Sequence, residues 1–181
     1  DLLRQGGVHQ PLSKLRPNDT NIVTCMAPSK TFNLAGLMTA MILIPDERLR
    51  RAWRDSHYPF VNPLGLAAAV GAYDNGGPWL EELRDYLDAN LVALGELLRT
   101  NLPLARFRIP DATYLAWIDL SAYFPEGRNL TQFFLEQCGV VLEGGEMFVE
   151  NGDGAIRLNV ACPQNQLIAA AAKIIQAVES R

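Results

Sequence analysis

Between Trp79 and Leu98 an apolar residue recurs every three or four positions: Trp79, Leu80, Leu83, Tyr86, Leu87, Leu91, Leu94, Leu97 and Leu98. That spacing gathers them on one stripe of an α-helix. Glu81, Glu82, Arg84, Asp85 and Asp88 fall between them and form a solvated face. The stretch Asn75-Gly76-Gly77-Pro78 breaks the chain before this helix, and Pro103 stops it. The 3.6-residue repeat therefore predicts about seven turns. A helix that long joins or bridges two bodies. It divides the chain into a first part, residues 1–85, and a second, residues 86–181.

Each side of the helix has its own pattern. Residues 21–26 (NIVTCM) and 38–44 (MTAMILI) read as short buried strands, with the loop APSKTFNLAG between them. Pro45-Asp46-Glu47 opens a helix whose acidic start and basic continuation to Arg54 suit the helix dipole. Residues 58–65 hold two prolines and read as irregular chain. Residues 64–73 are alanine-rich and read as a helix buried on most sides. Beyond Pro103 the pattern turns to α+β. Strands are expected at 113–119, 140–142 and 155–160, a short helix at 131–138 with Gly139 as its C-terminal cap, and a closing helix at 164–178. In the segment AIRLNV, residues Ile156, Leu158 and Val160 share one face, and Arg157 and Asn159 the other.

Composition narrows the partners. Of 181 residues, 49% are hydrophobic and 20% charged, the profile of a soluble globular chain. A net charge of −4 argues against nucleic acid, whose phosphates need a basic stripe. The longest apolar runs, residues 64–73 and 167–175, are too short to span a bilayer. The opening residues lack the pattern of a secretory signal. Cys25, Cys138 and Cys162 are too few and too scattered for a disulfide framework or a zinc site, so a cytoplasmic protein with reduced thiols is expected. With only His9 and His57, no metal site is expected. The chain opens on Asp1 without a methionine, as a piece of a longer protein would.

Lys30 lies in the loop between the two expected strands, directly after Pro28 and Ser29. Its neighbours allow two readings. One is a solvated loop lysine. The other is an amine that forms a Schiff base, which must first lose a proton despite a reference pKa of about 10.4. Lowering that value by three units needs roughly 4 kcal/mol, which an apolar pocket or a nearby cation supplies. Ser29 could hydrogen-bond a phosphate. Arg157 is either a sheet-edge or ion-paired arginine, or a two-pronged clamp for a carboxylate. Tyr114 and Trp117 read as core, and Asp119 as a turn cap. The stretch Glu143-Gly144-Gly145-Glu146 reads as a flexible loop, and NGDG at 151–154 as a hairpin turn.

Taken together, APSKTFNLAGL, GGPWLEELRDYLDANL, IPDATYLAWIDL and IRLNVACP resemble, in order and spacing, the MalY/PatB group of pyridoxal-phosphate enzymes. These are cystathionine β-lyase-like C–S lyases within the class I/II aminotransferase superfamily, fold type I. The resemblance covers nearly the whole chain. It implies an α/β fold: the end of a large cofactor-binding domain carrying the lysine loop, a linking helix, and a small α+β domain.

The resemblance also implies roles. Lys30 matches the lysine that binds pyridoxal 5′-phosphate covalently and then moves the substrate α-proton. Ser29 would help seat the cofactor. Arg157 matches the arginine that clamps the substrate α-carboxylate. Asn62, in VNP, matches a segment that reaches towards a partner subunit's cofactor phosphate, so a homodimer is implied. The substrate would be a sulfur-containing amino acid, cleaved by α,β-elimination to pyruvate, ammonia and a thiol. Transamination is the alternative reaction. Many aminotransferases carry a phosphate-binding arginine eight residues after the lysine. Met38 stands there here, which suits the lyase branch. The aspartate that pairs with the pyridine nitrogen, in a DEIH stretch, would precede Asp1. The expectation is thus a C-terminal half with little turnover by itself. A truncated chain with a binding or dimerisation role is the non-enzymatic alternative.

Overall fold

The chain divides between Leu83 and Arg84 into two compact units: Gly6–Leu83, and Leu2–Gln5 with Arg84–Arg181. The computed structural model describes residues 2–57, 60–148 and 152–181. Asp1, Tyr58 and the Asn151 of the expected NGDG turn lie outside them.

In the first unit, a one-turn helix α1 (Leu12–Leu15) precedes a two-stranded antiparallel ribbon, β1 (Thr24–Met26) with β2 (Met41–Leu43). Thr24 pairs with Leu43 and Met26 with Met41, so residues 27–40 form the loop that closes the ribbon. Both strands are shorter than their apolar runs, and neither is buried as expected: Met26, Met41, Ile42 and Leu43 are all exposed. A ribbon of two strands cannot cover both of its own faces. Helix α2 (Glu47–Ser56) opens on Asp46, whose carboxylate accepts from the Leu49 N–H at 2.8 Å.

Helix α3 (Pro63–Asn75) takes the first turn of what reads as irregular chain, because Asn62 caps it and Pro63 suits a first helical position. Its expected all-round burial is not found. Gly65 and Ala69 are buried, while Leu64, Leu66, Val70 and Tyr73 are exposed. Only the stripe that meets the 27–40 loop is covered. Helix α4 (Gly77–Asn101) has 25 residues and runs through the division.

The second unit is a four-stranded antiparallel sheet in the order β3 (Arg106–Phe107), β4 (Leu115–Asp119), β6 (Ala155–Asn159) and β5 (Glu143–Gly144). Its core joins Leu87, Leu91, Leu94 and Leu98 of α4 to Ala116 and Ile118 of β4 and to Ile156 and Leu158 of β6. Phe134 of α5 (Leu130–Cys138) and Leu167, Ile174 and Val178 of α6 (Gln164–Glu179) complete it. Gly139 ends α5 at φ 66°, the left-handed cap that glycine adopts without strain.

Two local readings change. The expected strand at 140–142 forms at Glu143–Gly144 instead, so the glycine-rich stretch is an edge strand followed by a 3₁₀ turn, Gly145–Met147. Asp153 and Gly154 form the described part of the turn into β6, with Gly154 at φ 76°. The segment Leu2–Gln5 is sewn to the second unit. Arg4 pairs with Asp88 at 2.9 Å, Arg84 Nε donates to the Leu3 carbonyl at 2.9 Å, and Thr113 N–H donates to the Leu2 carbonyl at 2.7 Å. Asn90, fully buried on α4, donates through its amide to the carbonyls of Val160 and Cys162 at 2.9 and 3.0 Å.

Candidate active site

In the first unit, Lys30 stands on a turn whose backbone is closed twice. Phe32 N–H donates to Pro28 O at 2.9 Å, and Leu34 N–H to Ser29 O at 3.0 Å. Asn33 completes the turn at φ 54°, a conformation asparagine tolerates. Phe32 anchors the turn: its ring meets Tyr73 edge to face at 5.6 Å and stacks on Trp79 at 5.8 Å. Gly76 makes room for it, since a Cβ there would lie 2.6 Å from the Phe32 ring. Further along the loop, Asn62 Nδ2 donates to Leu37 O at 3.4 Å while its Oδ1 accepts the Leu64 N–H at 3.1 Å. Gly65 lets α3 approach the same segment, because a Cβ would sit 2.9 Å from Leu37 O. Pro28 and Thr31 flank the lysine and are buried, Ser29 is half-buried, and Lys30 itself is exposed. The apolar pocket expected around the amine is therefore not built by the described residues of this unit.

In the second unit, β4, β6 and β5 place Trp117, Arg157 and Glu143 directly opposite one another in one row across the sheet. Arg157 lies on an inner strand, so the sheet-edge reading does not hold. Its Nε donates to Glu143 Oε2 at 2.5 Å, and Nη2 pairs with the same oxygen. The Arg157 guanidinium carbon stands 4.7 Å from the Phe148 ring centroid. Phe148 in turn meets Trp117 edge to face at 5.4 Å and 76°. The core reading of Trp117 is corrected, because its side lies on the open face of the sheet and the residue is exposed. Asp119, at the end of β4, caps a turn as expected by accepting the Ser121 N–H at 2.9 Å. Burial works to raise its carboxyl, but the Ser121 hydroxyl and N–H and the Arg106 guanidinium outweigh that and hold it below the usual value. Burial pushes the Cys162 thiol up.

Among the described residues no three of His, Cys, Asp and Glu gather to hold a metal, and no helix is long and apolar enough to cross a membrane. The three cysteines are free.

Residues 5–175 match the family described as aminotransferase class I and II. The chain belongs to that family. It is 40% identical to cystathionine β-lyase PatB of Bacillus subtilis (strain 168), over 90% of this chain and 43% of that protein. It is 34% identical to protein MalY of Escherichia coli (strain K12), over 95% of this chain and 45% of that protein. Among solved structures, the PLP-bound C–S lyase of Staphylococcus hominis superposes with a TM-score of 0.94 at 40% identity, over 98% of this chain and 47% of that one. The α/β fold is thus that of the fold type I enzymes, and the chain spans under half the length of the relatives it matches.

Among the residues singled out in the sequence, Ser29, Lys30 and Asn62 belong to the first unit, where the loop contacts bring Asn62 to the lysine segment. Arg157 belongs to the second. Phe32, Glu143 and Phe148 escaped the sequence reading. Phe32 carried a usable signal, an aromatic two residues after the lysine with aromatic partners on two later helices. Glu143 became visible only once the register set it opposite Arg157.

Proposed function

We propose that the protein containing this chain is a pyridoxal-phosphate-dependent C–S β-lyase of the cystathionine β-lyase kind. The observation that carries this reading is the Lys30 turn: a primary amine displayed on a backbone closed by two hydrogen bonds and anchored by Phe32. Relatives named as cystathionine β-lyases support the choice of reaction, as does Met38 in the place where many aminotransferases carry an arginine.

Pyridoxal 5′-phosphate fits what the chain offers, an exposed amine with the half-buried Ser29 hydroxyl beside it. When bound, that group supplies an aldehyde for amines and an electron sink for a substrate carbanion. Lys30 Nζ would hold the group by its aldehyde, and as a free amine it would be the base that takes the substrate α-proton. Ser29 would offer its hydroxyl to the phosphate. Arg157 orients the substrate carboxylate. With the α-proton on Lys30, the bond from the β-carbon to sulfur would break with its electron pair leaving on sulfur; the thiolate takes a proton to leave as thiol, and the aminoacrylate left behind takes up water to give pyruvate and ammonia. Asn62 ties the lysine segment within its own unit through one N–H and its oxygen, and its second amide N–H would be the group offered to a partner subunit's cofactor phosphate.

The substrate is a sulfur-containing amino acid. A homodimer belongs to this reading, supported by the resemblance of the VNP segment. A cytoplasmic location is supported by three free thiols. The test is incubation of the protein with cystathionine. Pyruvate formed in step with free thiol is expected. Amino transfer that requires a keto acid and releases no thiol would make the protein an aminotransferase instead.

A further inference from the structure

A guanidinium presents five N–H groups in a rigid fork with two edges that can each grip a carboxylate: a side edge, Nε with Nη2, and an end edge, Nη1 with Nη2. In Arg157 the side edge is already taken, since Nε and Nη2 both donate to Glu143 Oε2. The guanidinium also lies over the Phe148 ring, its carbon 4.7 Å from the ring centroid. Nη1 has no hydrogen-bond partner among the described residues, and the side chain keeps 30% of its exposure. The end edge is the one left open.

Both contacts are themselves braced. Glu143 stands on β5, whose Gly144 N–H donates to Thr131 Oγ1 at 2.8 Å at the start of α5. Thr131 Oγ1 donates onward to Glu146 Oε1 at 3.0 Å. Phe148 is held by its edge-to-face contact with Trp117 and by its N–H, which donates to the Gly145 carbonyl at 3.0 Å at the base of its own loop. Gly145 and Gly152 press backbone to backbone there, so closely that a Cβ on either would fall well inside contact distance of the other's carbonyl oxygen.

We infer that Glu143 and Phe148 are positioning residues that lock the Arg157 guanidinium so that its Nη1–Nη2 edge is presented to a substrate α-carboxylate. This deepens, and rests on, the reading of Arg157 as the carboxylate clamp. An unlocked arginine must freeze its long side chain on binding, and that ordering weakens the complex. Glu143 also opposes binding by sharing the positive charge, so the alternative is a carboxylate that merely competes with the substrate. The two roles predict opposite signs.

The experiment is an equilibrium titration of the protein with L-alanine, which carries the α-carboxylate but no β-leaving group. The Arg157 Nε–H resonance is followed by NMR. In Glu143→Ala the Kd is expected to rise about 3- to 10-fold, as losing one pre-ordered side chain implies. The Nε–H resonance is expected to lose its slow exchange. Glu143→Gln keeps an acceptor oxygen for the side edge and is expected to restore both. Phe148→Leu, which removes the ring face, shifts Kd in the same direction as Glu143→Ala. A lower or unchanged Kd in Glu143→Ala, with Arg157→Gln strongly impaired, would overturn the positioning role and leave the clamp standing. An unchanged Kd in Arg157→Gln would overturn the clamp, and this inference with it.

Discussion

Thr113 stands at φ 75°, where a β-branched side chain crowds its own backbone. It is held there because its N–H donates to the Leu2 carbonyl and its hydroxyl accepts the Leu115 N–H at 3.2 Å. Asparagine tolerates that conformation and keeps an acceptor. Thr113→Asn is therefore expected to stabilise the protein by about 1 kcal/mol, read as a higher denaturation midpoint with unchanged slope. Asp119 gives a pH dependence. Its folded pKa lies below the unfolded value of 3.8, so its stabilisation is complete above that value and is lost as pH falls through the lower folded value. Asp119→Asn should flatten the acid side of the stability curve, by less than about 1 kcal/mol because its partner Arg106 is largely exposed. A melting series from neutral pH to below pH 3.8 checks this. The turn cap Asp119, the helix start at Asp46 and the cap Gly139 were legible in the sequence, since each acts on backbone within three residues of itself or, for the glycine, at its own position. The Glu143–Arg157 pair was not. It depends on the register of two strands 14 residues apart, and a two-residue strand has no period to read.

At the scale of elements, helix α4 was the most legible, because its leucines satisfy the 3.6-residue period over many turns. Leu91 is fully buried on it, so Leu91→Ala is expected to destabilise the second unit by roughly 2–5 kcal/mol, measured by denaturant unfolding. The exposure of β1, β2 and α3 was not legible. Apolar residues say what gains from burial, and they do not say what covers it. The contact of α3 with the lysine loop shows the same limit, since it turns on a missing Cβ. Gly65→Ala would push against the Leu37 carbonyl, which the Thr39 hydroxyl and Asn62 amide also contact. A loss of about 1–3 kcal/mol is expected. The same variant should expose the 27–40 loop to limited proteolysis earlier than in the parent protein.

For the whole molecule, the sequence motifs carried the family and the fold, and the structure supplied the supports of each candidate group within its own unit. The proposed chemistry depends most on one atom, Lys30 Nζ. The chain holds only three lysines, Lys14, Lys30 and Lys173, so a covalent label on one of them is easily mapped. The decisive measurement is borohydride reduction of the protein in the presence of pyridoxal 5′-phosphate, followed by digestion and mass spectrometry. One reduced cofactor is expected on the peptide containing Lys30, and none after Lys30→Ala. A label on Lys14 or Lys173 instead, or a cofactor-bearing protein whose Lys30 stays unmodified, would contradict it.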